Sequence, residues 1–203
     1  MTKTVILIPS RLNSKRLKNK PLLEIDGYPL VVHTYKRAKM SKICSNVYVC
    51  TDSKEIKKKC EQFSSKVIMT SSRHINGTER IAEAAKKLRL KDNDIILDVQ
   101  GDEPLIDPKQ IDSTIKFFKK NKFEIVLPNI LIKNGSSKNI VKLVFDKNNQ
   151  VRWMSRSELP FYFKSNKKIF YKHLSIIAFT KKSLNKYAKL KPSKNEKIES
   201  IEL

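Results

Sequence analysis

Short apolar runs alternate with amphipathic segments along the first two thirds of the chain. The apolar runs have the length of buried strands and lie at 5–8, 46–50, 66–69, 95–99 and 125–127. Between them, apolar residues recur at helical spacing around 30–38, from a cap at Ser53 to about 63, at 78–90 and at 108–120. This alternation is typical of βαβ units. It predicts a Rossmann-like α/β fold with a mostly parallel sheet flanked by helices.

The pattern changes after Pro128. Apolar runs at 140–145 and 151–154 flank a turn-forming segment, and 170–179 has the pattern of one long strand. We therefore expect a single domain with an α/β core at 1–128, an antiparallel insertion at 129–180 and C-terminal helices at 181–203. An amphipathic helix is predicted to begin at Glu196 and to stop with the chain, so we expect the natural protein to continue.

Composition and hydropathy indicate a soluble globular protein. Hydrophobic residues make up 39% of the chain and charged residues 31%. No apolar run approaches the roughly 18–20 residues that a spanning helix needs. The N-terminal run at 5–8 is too short for a signal peptide. We therefore expect a cytoplasmic protein that does not enter the membrane.

The charge is strongly positive. Lys and Arg total 43 against 20 Asp and Glu, a net charge of +23, which suits acidic partners such as nucleic acid or phosphorylated molecules. The excess is mostly lysine scattered along the chain, and Trp153 is the single tryptophan. Because RNA-binding proteins rely on arginine and on aromatic stacking, we interpret most of the charge as a solvated surface. A basic RNA-binding protein is the alternative from a different class.

The cysteines do not indicate a metal or disulfide framework. There are three of them, none in a CxxC spacing and none near a histidine cluster. Buried, reduced thiols are the prediction. The sequence also contains no GxGxxG, Walker A or HExxH motif.

Two segments that follow predicted strands contain candidate ligand-binding residues. The first, 9–21, holds five cations within ten residues and could bind a polyphosphate or simply be a solvated basic loop. The second, 100–104, reads QGDEP and follows the strand at 95–99. Magnesium is commonly held by one or two carboxylates and substrate phosphates. Among the competing carboxylates Asp98, Asp102 and Glu103, the loop position favours Asp102.

Several motifs in register resemble one known family. The basic loop has the spacing Arg-x4-Arg-Leu-x2-Lys-Pro, and HINGTER at 74–80 is similar to an HxSGTER element. VQGDEP at 99–104, MSR at 154–156 and YKHL at 171–174 follow in the same order. Together they resemble the 3-deoxy-manno-octulosonate (Kdo) cytidylyltransferases, or CMP-Kdo synthetases, from about residue 4 to the end. The resemblance implies a nucleotidyltransferase that joins CTP to Kdo for lipopolysaccharide biosynthesis, with Mg²⁺ and as a homodimer.

The resemblance also implies roles for individual residues. The triphosphate and the departing pyrophosphate would be held by Arg11, Arg16 and Lys20, and magnesium by Asp102. The cytidine would be contacted by the segment that contains His74, Gly77, Thr78 and Arg80. The sugar pocket would be lined by Gln100, Arg156, His173 and Glu202.

Some positions depart from the family pattern. Asn76 replaces a serine, and Ser175 and Ile177 replace a glycine and a tyrosine. The family also carries a second magnesium ligand in a VDTP-like segment that would lie beyond Leu203. These departures leave open a modified substrate such as 8-amino-Kdo. A sialic-acid-type synthetase and an inactive paralogue are the remaining alternatives.

Overall fold

The computed structural model of the chain describes residues 2–12, 17–44, 46–121, 123–164 and 167–202. Arg16, which the resemblance places at the triphosphate, lies outside these residues. In chain order the strands are β1 (Thr4–Ser10), β2 (Glu24–Ile25), β3 (Tyr28–Pro29), β4 (Val47–Thr51), β5 (Val67–Met69), β6 (Ile95–Val99), β7 (Ile125–Val126), β8 (Asn129–Ile132), β9 (Lys142–Phe145), β10 (Val151–Ser155), β11 (Phe170–His173) and β12 (Ile176–Thr180).

The main sheet has the strand order β5-β4-β1-β6-β12-β7. The first four strands in this order pair in parallel, whereas β12 is antiparallel to both β6 and β7. Ile6 of β1 lies opposite Val47 on one side and Leu97 on the other. All three side chains are fully buried, because a parallel sheet covered on both faces needs continuous apolar strands. The predicted Rossmann-like α/β fold is confirmed.

The helices of the α/β core begin and end close to the predicted bounds. They are α1 (Leu30–Lys39), α2 (Lys54–Gln62), α3 (Gly77–Lys87), α4 (Pro108–Asn121), α5 (Lys181–Tyr187) and α6 (Lys194–Glu199). Ser53 caps α2 as expected, since its side chain accepts a hydrogen bond from the Ile56 amide. In the part of the chain that the structure describes, no helix combines the length and apolar character required to cross a bilayer.

A second sheet has the order β10-β9-β11-β8 and is antiparallel throughout. Its β9–β10 hairpin turns at Asp146, whose Oδ1 accepts hydrogen bonds from the amides of Asn148 and Gln150. Arg152 donates to the other carboxylate oxygen from the returning strand. The predicted antiparallel character after Pro128 is therefore confirmed. Strand β8 was not predicted.

The chain forms two compact units, one of 1–126 with 175–189 and one of 127–174 with 190–203. The prediction of one long strand at 170–179 is wrong, because the strand is interrupted at Ser175, which has a φ of 56°. Such a left-handed residue cannot continue a strand. Consequently β11 lies in the second sheet, while β12 joins the first unit, outside the expected insertion.

The last helix also differs from the prediction. It begins at Lys194 rather than Glu196, because Ser193 and Glu196 form a reciprocal capping box. It ends at Glu199, where Ser200 adopts a left-handed conformation with a φ of 51°. The predicted helix over 196–203 is thus replaced by a short helix with a start and a stop of its own.

The three cysteines are buried and free, as predicted. Burial raises the pKa of each thiol, to about 12 for Cys60. The thiols therefore remain protonated at neutral pH and contribute to packing.

Residue 175 provides a test of the interrupted strand. A serine in the left-handed region costs roughly 1 kcal/mol relative to glycine. We expect Ser175→Gly to raise the free energy of unfolding by up to about 1 kcal/mol. Ser175→Val should lower it by about 1–2 kcal/mol, because a β-branched side chain is strained there. Urea denaturation measures both.

Ser72→Gly is the matched control, since Ser72 is exposed and has a negative φ. It should not stabilise the protein. Equal effects of glycine at 72 and 175 would contradict the role assigned to the left-handed conformation.

Candidate active site

The strand order of the main sheet reverses between β1 and β6, so the loops that follow these strands leave in the same crevice. Gly101 allows these loops to approach. A Cβ atom at residue 101 would lie 2.7 Å from the Pro9 carbonyl oxygen, closer than any side chain permits. Thr34 of α1 donates a 3.2 Å hydrogen bond to the Gly101 carbonyl.

Lys20 and Asp102 meet in this crevice. The Lys20 Nζ lies 2.5 Å from Asp102 Oδ2, and the two side chains are 34% and 45% exposed. Lys20 begins a single 3₁₀ turn that follows the basic loop, whereas Asp102 follows β6. The structure thus brings together a cation and a carboxylate that are distant in sequence. Both remain open to solvent, so an exposed pair of this kind adds little to stability.

Arg11 connects the basic loop to the His74 segment. Its Nη1 donates a 3.2 Å hydrogen bond to the carbonyl of Ile75. Two segments that the resemblance assigns to the nucleotide, the basic loop and 74–80, are therefore in contact. Periodicity alone does not predict this contact.

The segment before α3 is held by carboxylates from that helix. The His74 Nε2 lies 2.5 Å from Glu83 Oε2, and its Nδ1 lies 3.6 Å from Glu79 Oε2. Glu79 also accepts a hydrogen bond from the Ile75 amide, and Asn76 caps α3 by accepting from the Glu79 amide. This geometry shows why asparagine can replace serine at residue 76, since both side chains cap helices well.

Gly77 and Thr78 form the start of α3, where the amide groups of the first turn point outward along the helix axis. The Thr78 residue is fully buried. A helix start of this kind is suited to oxygen atoms of a ligand. The nucleotide contacts expected at these two residues stay predictions.

Glu83 was not predicted as a site residue. Burial alone would raise the pKa of its carboxyl group. The hydrogen bonds from the Ser71 amide, Lys87 and His74 outweigh this effect and lower the pKa to about 2. Its position four residues after Glu79 is a signal that sequence reasoning could have used, because this spacing places both carboxylates on one helix face.

Arg80 is 2% exposed, and its guanidinium group contacts polar side chains of the first unit. Nη1 donates to the Thr70 hydroxyl at 2.7 Å and lies 3.4 Å from Asp52 Oδ1. It therefore links the carboxyl ends of β4 and β5. A direct contact of Arg80 with a nucleotide stays a prediction, and the observed geometry gives this residue a structural role.

Gln100 directly follows β6. Its Nε2 lies 3.2 Å from both carboxylate oxygens of Asp98. Asp98 is 1% exposed, and so it is poorly placed to receive a metal ion. Among the carboxylates considered from sequence, Asp102 is the accessible one that faces a predicted phosphate-binding cation.

The second unit contains Arg156, His173 and Glu202. Arg156 donates to the carbonyls of Lys138, Glu199 and Ser200. His173 lies in β11 opposite Asn129, and its amide donates to the Val141 carbonyl. His173 and Glu202 are half-buried. The expected sugar contacts of these residues stay predictions.

Lys142 was not predicted and is fully buried. Its Nζ donates to the carbonyls of Ile140, at 2.9 Å, Ser137 and Arg156. Burial lowers the pKa of this ammonium group. Lys142 thus ties the backbone of Arg156 to the segment before β9. Its place as the first residue of a strand gave no signal of this role.

A metal site is not preformed by side chains alone. Within residues 2–12, 17–44, 46–121, 123–164 and 167–202, no group of three or more His, Cys, Asp or Glu side chains converges. Asp102 offers one accessible carboxylate. Such a donor set fits magnesium that arrives with substrate phosphates better than a metal held by protein ligands alone.

Comparison with known proteins identifies the family. A model of the family described as cytidylyltransferase matches residues 5–203. The chain belongs to the cytidylyltransferase family. It is 40% identical over 202 residues to the 8-amino-3,8-dideoxy-manno-octulosonate cytidylyltransferase of Shewanella baltica strain OS155, covering 97% of this chain and 82% of the relative. The corresponding protein of Shewanella frigidimarina is 38% identical, with 98% and 84% covered.

Solved structures agree with this membership. A CMP:2-keto-3-deoxy-manno-octonic acid synthetase complexed with CTP superposes with a TM-score of 0.89 at 32% identity, covering 99% of this chain and 83% of that one. A cytidylyltransferase from Leptospira borgpetersenii, at 22% identity and a TM-score of 0.64 over 97% of this chain and 68% of that one, shares the fold. The family resemblance drawn from the motifs is confirmed.

Glu83 generates a pH-dependent prediction. Its folded-state pKa of about 2 is below the ordinary value of 4.5, so its contribution to stability is complete above about pH 4.5 and is lost as the pH falls toward 2. We expect Glu83→Gln to lower the free energy of unfolding at pH 7 by on the order of 2–3 kcal/mol. The difference from the wild type should shrink between pH 5 and 3 in urea titrations.

Glu55→Gln is the control, because Glu55 is exposed on the neighbouring helix α2. It should change stability by less than about 0.5 kcal/mol at every pH. A Glu83→Gln effect that stayed constant from pH 7 to 3 would contradict the assigned ionisation.

Proposed function

We propose that this protein transfers CMP from CTP to a Kdo-type sugar acid, either Kdo or its 8-amino form, and releases pyrophosphate. The observation that carries the proposal is the likeness over 99% of the chain to a CMP:2-keto-3-deoxy-manno-octonic acid synthetase solved with CTP. The curated relatives are named for the 8-amino sugar. The RNA-binding alternative has no support from these comparisons.

The proposed reaction forms one bond and breaks another. The anomeric hydroxyl oxygen of the sugar attacks the α-phosphorus of CTP and loses its proton to water. The bond from that phosphorus to the oxygen bridging it to the β-phosphorus breaks, and this oxygen leaves with the pyrophosphate. Positioning and charge neutralisation supply most of the catalysis of such a transfer. Arg11 and Lys20 lie where the loop after β1 enters the crevice, and their cations would hold phosphate oxygens. Arg16 has the same role by resemblance.

Asp102 is the residue that we propose for magnesium. Its carboxylate is accessible and already pairs with a cation that would transfer to the triphosphate. When bound, magnesium neutralises charge on the phosphate oxygens. The ion pair with Lys20 would keep the Asp102 carboxylate oriented before the substrates arrive.

Arg156 of the second unit is proposed to bind the sugar carboxylate. A guanidinium group has five N–H donors, and the three hydrogen bonds to carbonyl groups leave donors for a ligand. Since carbonyl oxygens do not neutralise the cation, its charge remains available to an anion. Gln100, His173 and Glu202 are proposed for the remaining sugar contacts.

We also propose a cytoplasmic homodimer that associates through the second sheet. Tyr171 and Leu131 lie opposite each other on β11 and β8 and are 41% and 60% exposed. Exposed aromatic and aliphatic groups on one sheet are typical of an interface.

The first test measures pyrophosphate release by the purified protein. We expect release only when CTP, magnesium and a sugar are all present, with Kdo and 8-amino-Kdo assayed in parallel. The sugar with the higher kcat/KM identifies the substrate. Pyrophosphate release at the same rate with CTP alone, or none with either sugar, would contradict the proposed function.

The second test separates catalysis from stability at Asp102. We expect Asp102→Asn to lower turnover by on the order of 10²- to 10³-fold. Its free energy of unfolding should change by less than about 1 kcal/mol, because the pair with Lys20 is exposed. Urea denaturation and pyrophosphate release report the two effects.

Asp92→Asn is the matched control. Asp92 is 68% exposed and pairs with Lys181 at 3.5 Å, so it reports the loss of an exposed ion pair without a substrate role. Equal turnover in the two variants would remove Asp102 from the proposed site.

A further inference from the structure

Asp98 is a buried carboxylate in the central sheet. It lies near the carboxyl end of β6, opposite Leu7 of β1 and Ile177 of β12, both of which are buried. Burying a carboxylate among apolar neighbours is costly unless hydrogen bonds satisfy it. The side-chain amide of Gln100 supplies such a hydrogen bond, at 3.2 Å to each oxygen. Gln100 is therefore one of the groups that stabilise this buried carboxylate.

The backbone around Gln100 is fixed on both sides. Its amide donates to the Ser175 carbonyl at 3.3 Å, and its carbonyl accepts from the Glu103 amide at 3.2 Å. Gly101 is packed against the Pro9 carbonyl. A half-turn of the terminal amide exchanges the positions of its oxygen and its NH₂ group. The orientation of this amide therefore decides whether Gln100 presents an acceptor or a donor to a ligand.

Carboxylate oxygens accept hydrogen bonds, and the Nε2 of Gln100 lies 3.2 Å from both oxygens of Asp98. This contact selects the orientation of Gln100 in which the NH₂ group faces Asp98. The amide oxygen Oε1 is then directed away from Asp98, and no donor to it is found among the described residues. An asparagine at residue 98 would not make this selection, because its own amide can turn to present either a donor or an acceptor.

We propose that Asp98 is a positioning residue that fixes the Gln100 amide so that its oxygen accepts a hydrogen bond from a donor group of the sugar. This inference rests on the proposed function. It assigns Asp98 a role in substrate recognition without contact to the substrate. It also predicts the chemistry of the group recognised: a hydroxyl group fits, whereas a group that only accepts hydrogen bonds does not.

The first experiment needs no substrate. The side-chain ¹⁵N–¹H₂ signals of Gln100 are assigned by their absence from Gln100→Ala. In Asp98→Asn we expect these signals to shift and their protons to exchange with water at least several-fold faster, since the carboxylate no longer holds them. Unchanged signals and exchange would overturn the proposal, whether or not the protein proves to be a cytidylyltransferase.

The second experiment measures kinetics. Asp98→Asn should lower kcat/KM for the sugar about tenfold, the size expected for one hydrogen bond, and should leave the KM for CTP within about twofold. In a Gln100→Ala background, Asp98→Asn should not lower kcat/KM for the sugar any further, because Asp98 acts through Gln100. Additive losses in the double variant would overturn the proposal.

Asp94→Asn is the matched control for folding. Asp94 is also buried, at the opposite end of β6, where its oxygens accept from the amides of Lys3 and Lys91. This variant should lose stability without a selective loss of sugar kcat/KM. If Asp94→Asn lowered kcat/KM for the sugar as selectively as Asp98→Asn, the loss would not depend on which buried carboxylate is changed. This result would overturn the positioning role of Asp98.

Discussion

The close approach of the loops that follow β1 and β6 is the constraint on which the candidate site depends. Parallel pairing of these strands brings their carboxyl ends to one edge of the sheet, and Gly101 lets the second loop pass within contact of the Pro9 carbonyl. Lys20 and Asp102 can then meet although they come from different loops. A side chain at residue 101 would separate the groups that the proposed reaction needs together.

The charged residues divide into two classes with different environments. Lys20 and Asp102 are partly exposed and contribute little to stability, so they are accessible to the phosphate and metal proposed for this site. Arg80 and Lys142 are buried and bond to oxygens of their own unit. Removing a partner from a buried charge is far more costly than breaking an exposed pair. The buried cations therefore stabilise the fold, whereas the exposed pair is the one proposed for chemistry.

The structure accommodates two of the residues that depart from the family motifs without a change in backbone conformation or helix capping. This is consistent with membership of the cytidylyltransferase family. Ser175 replaces the glycine of the pattern, and its φ of 56° is a conformation in which glycine is the favoured residue. Asn76 replaces serine and caps α3. At both positions the backbone role is retained while the side chain changes. Ile177 is different, since its buried side chain offers no hydroxyl group.

Much of the fold could be predicted from the sequence, because strand and helix periodicities are local. The runs that became β1, β4, β5 and β6 and the helices between them were found with small errors at their ends. The motifs also placed Lys20, Asp102 and the first residues of the 74–80 segment in loops after strands. These loops necessarily share one edge of a parallel sheet, so their proximity followed from the fold class.

The rest required the tertiary structure. The division of 170–179 between two sheets depends on one residue with a positive φ, which apolar periodicity does not report. Glu83 and Lys142 became visible as partners only through contacts with distant backbone groups. The amide orientation of Gln100 likewise follows from a carboxylate two residues away whose burial the sequence does not state. Local pattern thus determined the elements and their order, whereas burial and non-local hydrogen bonding decided which charged groups remain accessible.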